Sequence, residues 1–379
     1  MTRILMIVDA APPHYGGAGR QALLLATRLT KLGHDVRIVA RRKEPAPSNS
    51  PFVRYLGPHL RSQTLSSVVF ATLCFFRVLF SRADVIHCHG AFYYGYTTAL
   101  ASRIRGIPFV LKVTLVGSDD PQSVAELSFA GLPIGRVIVR QFGLADVVIA
   151  LNREVAGRLE RSGYGSKVRI IPNGIEIDLG QRQIDLDARA GRDSRSSRVI
   201  FTGEACVRKG VDSLLEAWPS VLAADPNASL TLVGPIDQEI GVQISGIAPE
   251  IRHSIITAGF REHSCVLDLL DCSDVFVLAS RAEGLPNSLI EAMGRGLPCV
   301  ASDIPVNVEV GGADIVYCDP DEPSTIAAAI LLALEDRLTF AGRALDRAVL
   351  FDVNNVVSIY ETLYGELILT TGGQGHADE

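Results

Sequence analysis

The sequence predicts an α/β protein made of two Rossmann-like domains, each a doubly wound parallel sheet. Its 379 residues, 47% of them hydrophobic, suffice for two sizeable cores. Short apolar, β-branched runs alternate with helical stretches along both halves, the pattern of βαβ units. A polar stretch at 181–198, rich in Arg and Asp, separates the two series as a linker or exposed loop.

In the first half the runs at 4–8, 36–40, 85–87, 109–113, 147–150 and 168–171 read as strands; in the second, those at 199–201, 230–233, 255–257, 275–278, 299–301 and 315–317. The connection A-R-R-K-E-P-A-P-S-N-S-P-F-V-R-Y at 40–55 reads as a loop from its Pro and Ser content. Domains are therefore expected at 1–175 and 176–353. The last helix, about 354–369, is expected to cross back to the first domain, and the tail 370–379 to be disordered.

Composition narrows the function classes. The N-terminal apolar stretch is too short for a secretory segment and is stopped by Asp9. The stretch 65–80 is strongly apolar but contains Arg77 and is too short to span a bilayer, so a packed helix is expected. Seven cysteines form no C-x-x-C and lie mostly in apolar runs, which reads as small core residues in a reducing compartment and no zinc site. Charge is bipolar: residues 1–175 carry 22 Lys and Arg against 10 Asp and Glu, while 176–379 carry 14 against 32. Arg37, Arg41, Arg42, Lys43, Arg54 and Arg61 gather around the 40–55 connection. Such a basic half suits an anionic partner, a membrane surface or an acidic acceptor, or else is a solvated surface. No nucleic-acid-binding motif accompanies it.

The densest chemical signal is A-E-G-L-P-N-S-L-I-E-A-M-G-R-G-L-P-C-V from 282. It places Glu283 and Glu291 between a strand's C-terminus and a helix N-terminus, where the free N–H groups favour an anion such as a diphosphate. Carboxylates there suit hydroxyls. Glu291 has a plain alternative, since Ser288-x-x-Glu291 also fits a capping box. A second signal is F-T-G-E-A-C-V-R-K-G-V-D-S-L-L-E-A-W at 201–218. Its Arg208, Lys209 and Gly210 precede a helix, where cations oppose the helix dipole, and such a placement hints at use. A third is the loop with Gly16, Gly17 and Gly19 after the first strand, where glycines let the backbone approach a ligand. Gly17-x-Gly19-x-x-Ala22, with Arg41 and Arg42, also fits a dinucleotide fingerprint, but six residues separate the strand from its first glycine.

His87 and His89 alternate on a strand, so one is expected to pack inward and the other to point to the opposite face or the strand end. His89, beside Gly90 at that end, is the site candidate. Asp119-Asp120 and Asp185-x-Asp187 resemble metal-binding pairs only superficially.

Taken together, the G-G loop near 17, D-V-I-H-C-H-G at 84–90, A-D-V-V-I-A-L-N at 145–152, I-P-N-G-I-E at 171–176, R-K-G-V-D-S-L-L-E-A-W and E-x7-E resemble the retaining glycosyltransferases of family 4, with the GT-B fold. The resemblance spans about residues 1–365 and implies two domains facing across a cleft. It implies transfer of a sugar from a nucleotide-diphosphate sugar, with no metal and no other cofactor. Gly16 and Gly17 would lie near the donor diphosphate and Lys209 would hold the phosphate charge, with Gly203 and Arg208 beside it. Glu283 and the backbone of Gly284, Leu285 and Pro286 would face the transferred sugar. N–H groups near Asn287, Ser288 and Leu289 would meet the phosphates, and Glu291 the ribose. Glu283 and Lys209 would be the catalytic pair.

Two departures from the family pattern stand out. Glu204 follows Gly203 where an Arg is usual, and Thr114 stands nearest the place of a usual His. Lys112, Thr114, Ser118 and Asp119 are therefore the acceptor-side candidates with His89. The expectation is a cytoplasmic transferase, peripheral at the inner membrane face, acting on a lipid-linked saccharide. The alternatives are an NAD(P)-dependent oxidoreductase and a noncatalytic sugar-nucleotide-binding subunit.

Overall fold

The computed structural model describes residues 1–11, 17–42, 51–58, 62–114, 117–128, 131–178, 180, 182 and 197–374. The chain forms two compact units: 1–174 with 353–379, and 175–352.

The first unit holds a seven-stranded sheet in the order β3-β2-β1-β4-β5-β6-β7. Its strands are β1 (Arg3–Val8), β2 (Asp35–Arg41), β3 (Val53–Leu56), β4 (Val85–His89), β5 (Phe109–Lys112), β6 (Val147–Ala150) and β7 (Val168–Ile170). All pair in parallel. The second unit holds β8 (Arg198–Thr202), β9 (Ser229–Val233), β10 (Ile255–Gly259), β11 (Val275–Leu278), β12 (Cys299–Ser302) and β13 (Val316–Cys318). Their order is β10-β9-β8-β11-β12-β13, again parallel throughout. Both units are Rossmann-like sheets of the expected class. In each the strand order reverses once, between β1 and β4 and between β8 and β11, the places where such sheets bind ligands beyond the strands' C-terminal ends.

Helices cover both faces of the first sheet. On one face, Leu25, Ala26 and Leu29 of the helix Gly17–Lys31 join Val356, Val357, Tyr360, Leu363 and Tyr364 of the helix Val353–Gln374. That three-and-four spacing makes an apolar stripe. At roughly 1.5–3 kcal/mol for each large side chain fully buried, the stripe holds the last helix in this unit. No proline interrupts that helix, and it continues to Gln374, into the stretch expected to be disordered; residues 375–379 lie outside the described ones. On the other face, Phe70, Cys74 and Val78 of the helix Gln63–Leu79 pack beneath the sheet. Ser62 caps this helix by accepting the Leu65 N–H at 3.3 Å. Among the described residues no helix is long and apolar enough to cross a membrane.

Two readings need correction. Residues 53–56, expected to continue a loop, form the edge strand β3, paired with β2 from Ile38 to Arg41; four half-exposed residues after a Pro/Ser stretch carry little apolar signal. Of the seven cysteines, all free, Cys74, Cys88, Cys299 and Cys318 are buried. Cys265 and Cys272 are exposed, because they lie on the outer side and at the end of the helix His263–Asp271.

Candidate functional site

At the β8/β11 reversal, backbone geometry brings two distant segments together. Gly203, after β8, has φ 141°, and a Cβ on Gly234, after β9, would lie 1.9 Å from the Gly203 carbonyl oxygen. The chain then makes a single 3-10 turn, Val207–Lys209, closed by Gly210 at φ 66°. A Cβ on Gly210 would sit 1.8 Å from the Ala279 oxygen, so only glycine lets this turn press on the end of β11. The helix Val211–Ala224 follows.

The close approach puts Lys209 Nζ 2.5 Å from Glu283 Oε1, which also accepts the Ser280 hydroxyl at 2.6 Å. Both members of the ion pair are largely buried, with side chains 15% and 5% exposed. Arg208, exposed, donates to the Ala282 carbonyl at 3.1 Å. Arg281, which sequence reasoning missed, fastens the two segments. Its guanidinium donates to Val207 O, Asp212 Oδ1, Ser213 Oγ and Asp321 Oδ1 at 2.6–2.8 Å. The Asp212 contact foremost, with Asp321 and against burial, holds that guanidinium above its ordinary pKa. Its position directly after Ser280 gave no signal, because its partners are at least 40 residues away in the chain.

The helix Asn287–Gly294 starts after Pro286, and no side chain caps it. Ser288 is thus inside the first turn, so the Ser288-x-x-Glu291 capping box is not formed. The Asn287 N–H turns back to Leu285 O at 2.9 Å. Glu291 is 8% exposed, with His263 Nε2 3.9 Å from its Oε1. Gly284, Leu285 and Pro286 are buried and Leu289 fully so; Glu204 is exposed. The structure therefore brings Lys209, Glu283 and Ser280 into contact and sets Arg208 against the adjacent backbone.

In the first unit, Gly16 lies outside the described residues and Gly17 opens its helix. Gly19 has a packing reason: a Cβ there would lie 1.9 Å from Ala10 O. Arg41 is engaged by Asp9, with Nε 2.8 Å from Oδ1. Asp119 is fully buried and accepts the Thr114 N–H and hydroxyl at 2.8 Å and the Ala91 N–H at 3.3 Å. Ser118 beside it is half-buried. Asp120 caps the short helix Pro121–Ala125. Burial pushes its carboxyl up, but N–H groups of Gly117 and Ser123 and the Ser123 hydroxyl outweigh it and hold the pKa low. Among the described residues no group of three His, Cys, Asp or Glu is placed to hold a metal; Asp185 and Asp187 are outside them.

The histidine expectation is wrong. His87 and His89 stack with ring centroids 4.2 Å apart, both fully enclosed, because strand residues two apart share a face. His87 Nδ1 meets the Tyr364 hydroxyl at 2.7 Å, while neither His89 ring nitrogen has a hydrogen-bond partner among the described residues. Lys112, alongside, donates to Asn173 Oδ1 at 2.9 Å and lies 5.6 Å over the Tyr360 ring. Burial lowers Lys112 to about 7 and lowers both histidines well below their ordinary value.

Comparison with known proteins gives two family matches, Glycosyltransferase Family 4 over residues 15–179 and Glycosyl transferases group 1 over 196–336. A phosphatidylinositol N-acetylglucosaminyltransferase protein of Arabidopsis thaliana is 26% identical over 350 residues, 88% of this chain and 74% of that one. The Mycobacterium tuberculosis glycogen synthase is 27% identical over 379 aligned positions, 90% of this chain and 88% of its own. The crystal structure of Anabaena HepE in complex with UDP superposes with a TM-score of 0.70 at 19% identity, over 96% of this chain and 100% of HepE. That likeness speaks to fold.

Proposed function

We propose, on the premise that this chain belongs to glycosyltransferase family 4, that it moves a sugar from a nucleotide-diphosphate sugar with retention and without a metal. The observation that carries the reading is the Lys209–Glu283 pair at the β8/β11 reversal, beside a helix start that no side chain caps. Breaking the donor's glycosidic bond leaves a nucleoside diphosphate, so catalysis needs fixed positive potential at the leaving group. Lys209 and the N–H groups around Ser288 and Leu289 supply it in this reading, with Arg208, Gly203 and the Gly16–Gly17 loop completing the donor side. Glu283 and the backbone of 284–286 face the sugar, whose oxocarbenium-like transition state a carboxylate favours. Glu291 takes the ribose hydroxyls.

His89, Thr114, Ser118 and Asp119 form the acceptor side. A lipid-linked saccharide at the cytoplasmic membrane face is the acceptor we favour, supported by the basic first half and by the phosphatidylinositol in the plant relative's name. Assaying UDP-, GDP- and ADP-sugars against lipid-linked acceptors, with and without EDTA, tests it. The expected outcome is an α-linked product from an α-linked donor at an unchanged rate in EDTA. An inverted product, or turnover abolished by chelation, contradicts it.

Glu204, an acid where the family pattern has a cation, favours a second reading: a noncatalytic sugar-nucleotide-binding subunit. Turnover of any donor above background removes that alternative. The nicotinamide-dependent reading is set aside by the family match.

A further inference from the structure

Part of the basic group around 40–55 has a use outside the transferase site. Lys43 and Arg61 lie outside the described residues and Arg41 is held by Asp9. Arg37 on β2 and Arg54 on β3 instead meet Arg77, from the last turn of the helix Gln63–Leu79, around a cavity of about 480 Å³. Among the described residues, Asp35 is the sole acid lining it. That carboxylate reaches Arg37 with two long contacts of 3.3 Å, and Arg37 is 66% exposed, so the pair neutralises little. His34, also at the rim, is turned to Glu361 at 2.9 Å.

The Arg77 Nε is enclosed without a hydrogen-bond partner among the described residues. Burial, then the like charges of Arg54 and Arg37, lowers that guanidinium below its ordinary value. Three guanidiniums converging on one cavity repel one another, and an anion inside relieves the repulsion while taking their planar N–H donors. Phe52, Val53 and Ile38 make the rest of the lining apolar. Beside Arg77, Phe76 and Phe80 are 50% and 76% exposed.

We propose that this cavity binds a phosphate ester, its phosphate held by Arg37, Arg54 and Arg77 and its alcohol portion on Phe52 and Val53. The ester is either a soluble metabolite or a lipid headgroup. The proposal is independent of the transferase reading, since its test is binding in the first unit.

The experiment measures binding of inorganic phosphate by calorimetry. Co-sedimentation is measured with vesicles of phosphatidylcholine alone or mixed equally with phosphatidic acid. Both use the intact chain and R37Q/R54Q/R77Q, with R103Q/R105Q on the neighbouring helix as the charge-matched control. Lys209→Met serves as the control for phosphate binding in the second unit. The expected result is at least a tenfold loss of affinity in the cavity variant, with the two controls near wild type. Loss seen with phosphatidic acid vesicles assigns a headgroup; loss confined to free phosphate assigns a soluble ester. If the triple variant does not fold, the exposed Arg54→Gln alone should still weaken binding severalfold. Wild-type protein that binds neither probe, cavity variants that bind as well as wild type, or an equal loss in R103Q/R105Q overturns the proposal.

Discussion

The two sheets have the same architecture and opposite habits at their reversal points. Beyond β8 and β11 the polar side chains are tied to nearby backbone and to one another, and Lys209 and Arg208 keep some exposure. Beyond β4 and β5 they are enclosed: His87, His89 and Lys112 are at most 3% exposed and turned toward Tyr360, Tyr364 and Asn173 of their own unit. One unit holds its charges ready for an anion; the other has closed its polar groups in and lowered their basicity. A shared fold therefore fixes where chemistry can sit without fixing what sits there.

Perturbing Lys209 should separate the units most sharply. Lys209→Met is expected to lower turnover about 10²–10³-fold, the scale for losing a donor aimed at developing charge. The check is kcat with saturating donor, and the first unit's replacements should not reproduce it. Glu283→Ala leaves a buried cation without its partner and should cost about 3–5 kcal/mol, read from urea unfolding. A loss below about 1 kcal/mol would mean that solvent already screens the pair. Gly210→Ala forces a Cβ into the Ala279 carbonyl at a positive φ. It should destabilise by more than about 2 kcal/mol, whereas Gly241→Ala, with open space around it, should not destabilise.

In the first unit, Asp119→Ala strands donors from Thr114 and Ala91 and should cost about 1–3 kcal/mol. If the folded protein instead keeps its stability but loses acceptor affinity, Asp119 serves the acceptor directly. The smallest effect is a pH slope. Lys112 falls from 10.5 unfolded to about 7 folded. Between those values the unfolded chain binds more protons, so this group's stability is present above 10.5 and lost as pH falls toward 7. The slope is at most about 1.4 kcal/mol per pH unit. Lys112→Met should flatten it in pH-dependent chemical denaturation, while His87 and His89 steepen the decline below 6.5 by the same logic.

How much the sequence reveals differs between the units for a physical reason. Buried parallel strands announce themselves as apolar runs, so β11 at 275–278 is legible to the residue, while the short edge strand β3 is not. Glu283, Gly284 to Leu289 and Glu291 sit in one contiguous motif, and Lys209 in another, so local spacing exposes them. Arg281 and the His87–Tyr364 contact depend on separations of 69 and 277 residues, which no local pattern encodes. The histidine expectation fails for a different reason: a strand period of two puts His87 and His89 on one face, not on opposite ones.

The most direct test of the donor site is thermal unfolding of wild type and Glu291→Ala with UDP, GDP, ADP and CMP. Ligand that binds only the folded state raises Tm by mass action. One nucleoside diphosphate that raises the wild-type Tm and leaves the variant unmoved is the predicted result. Equal stabilisation of both proteins, or none by any of the four, would contradict the placement of the donor at Glu291 and Lys209.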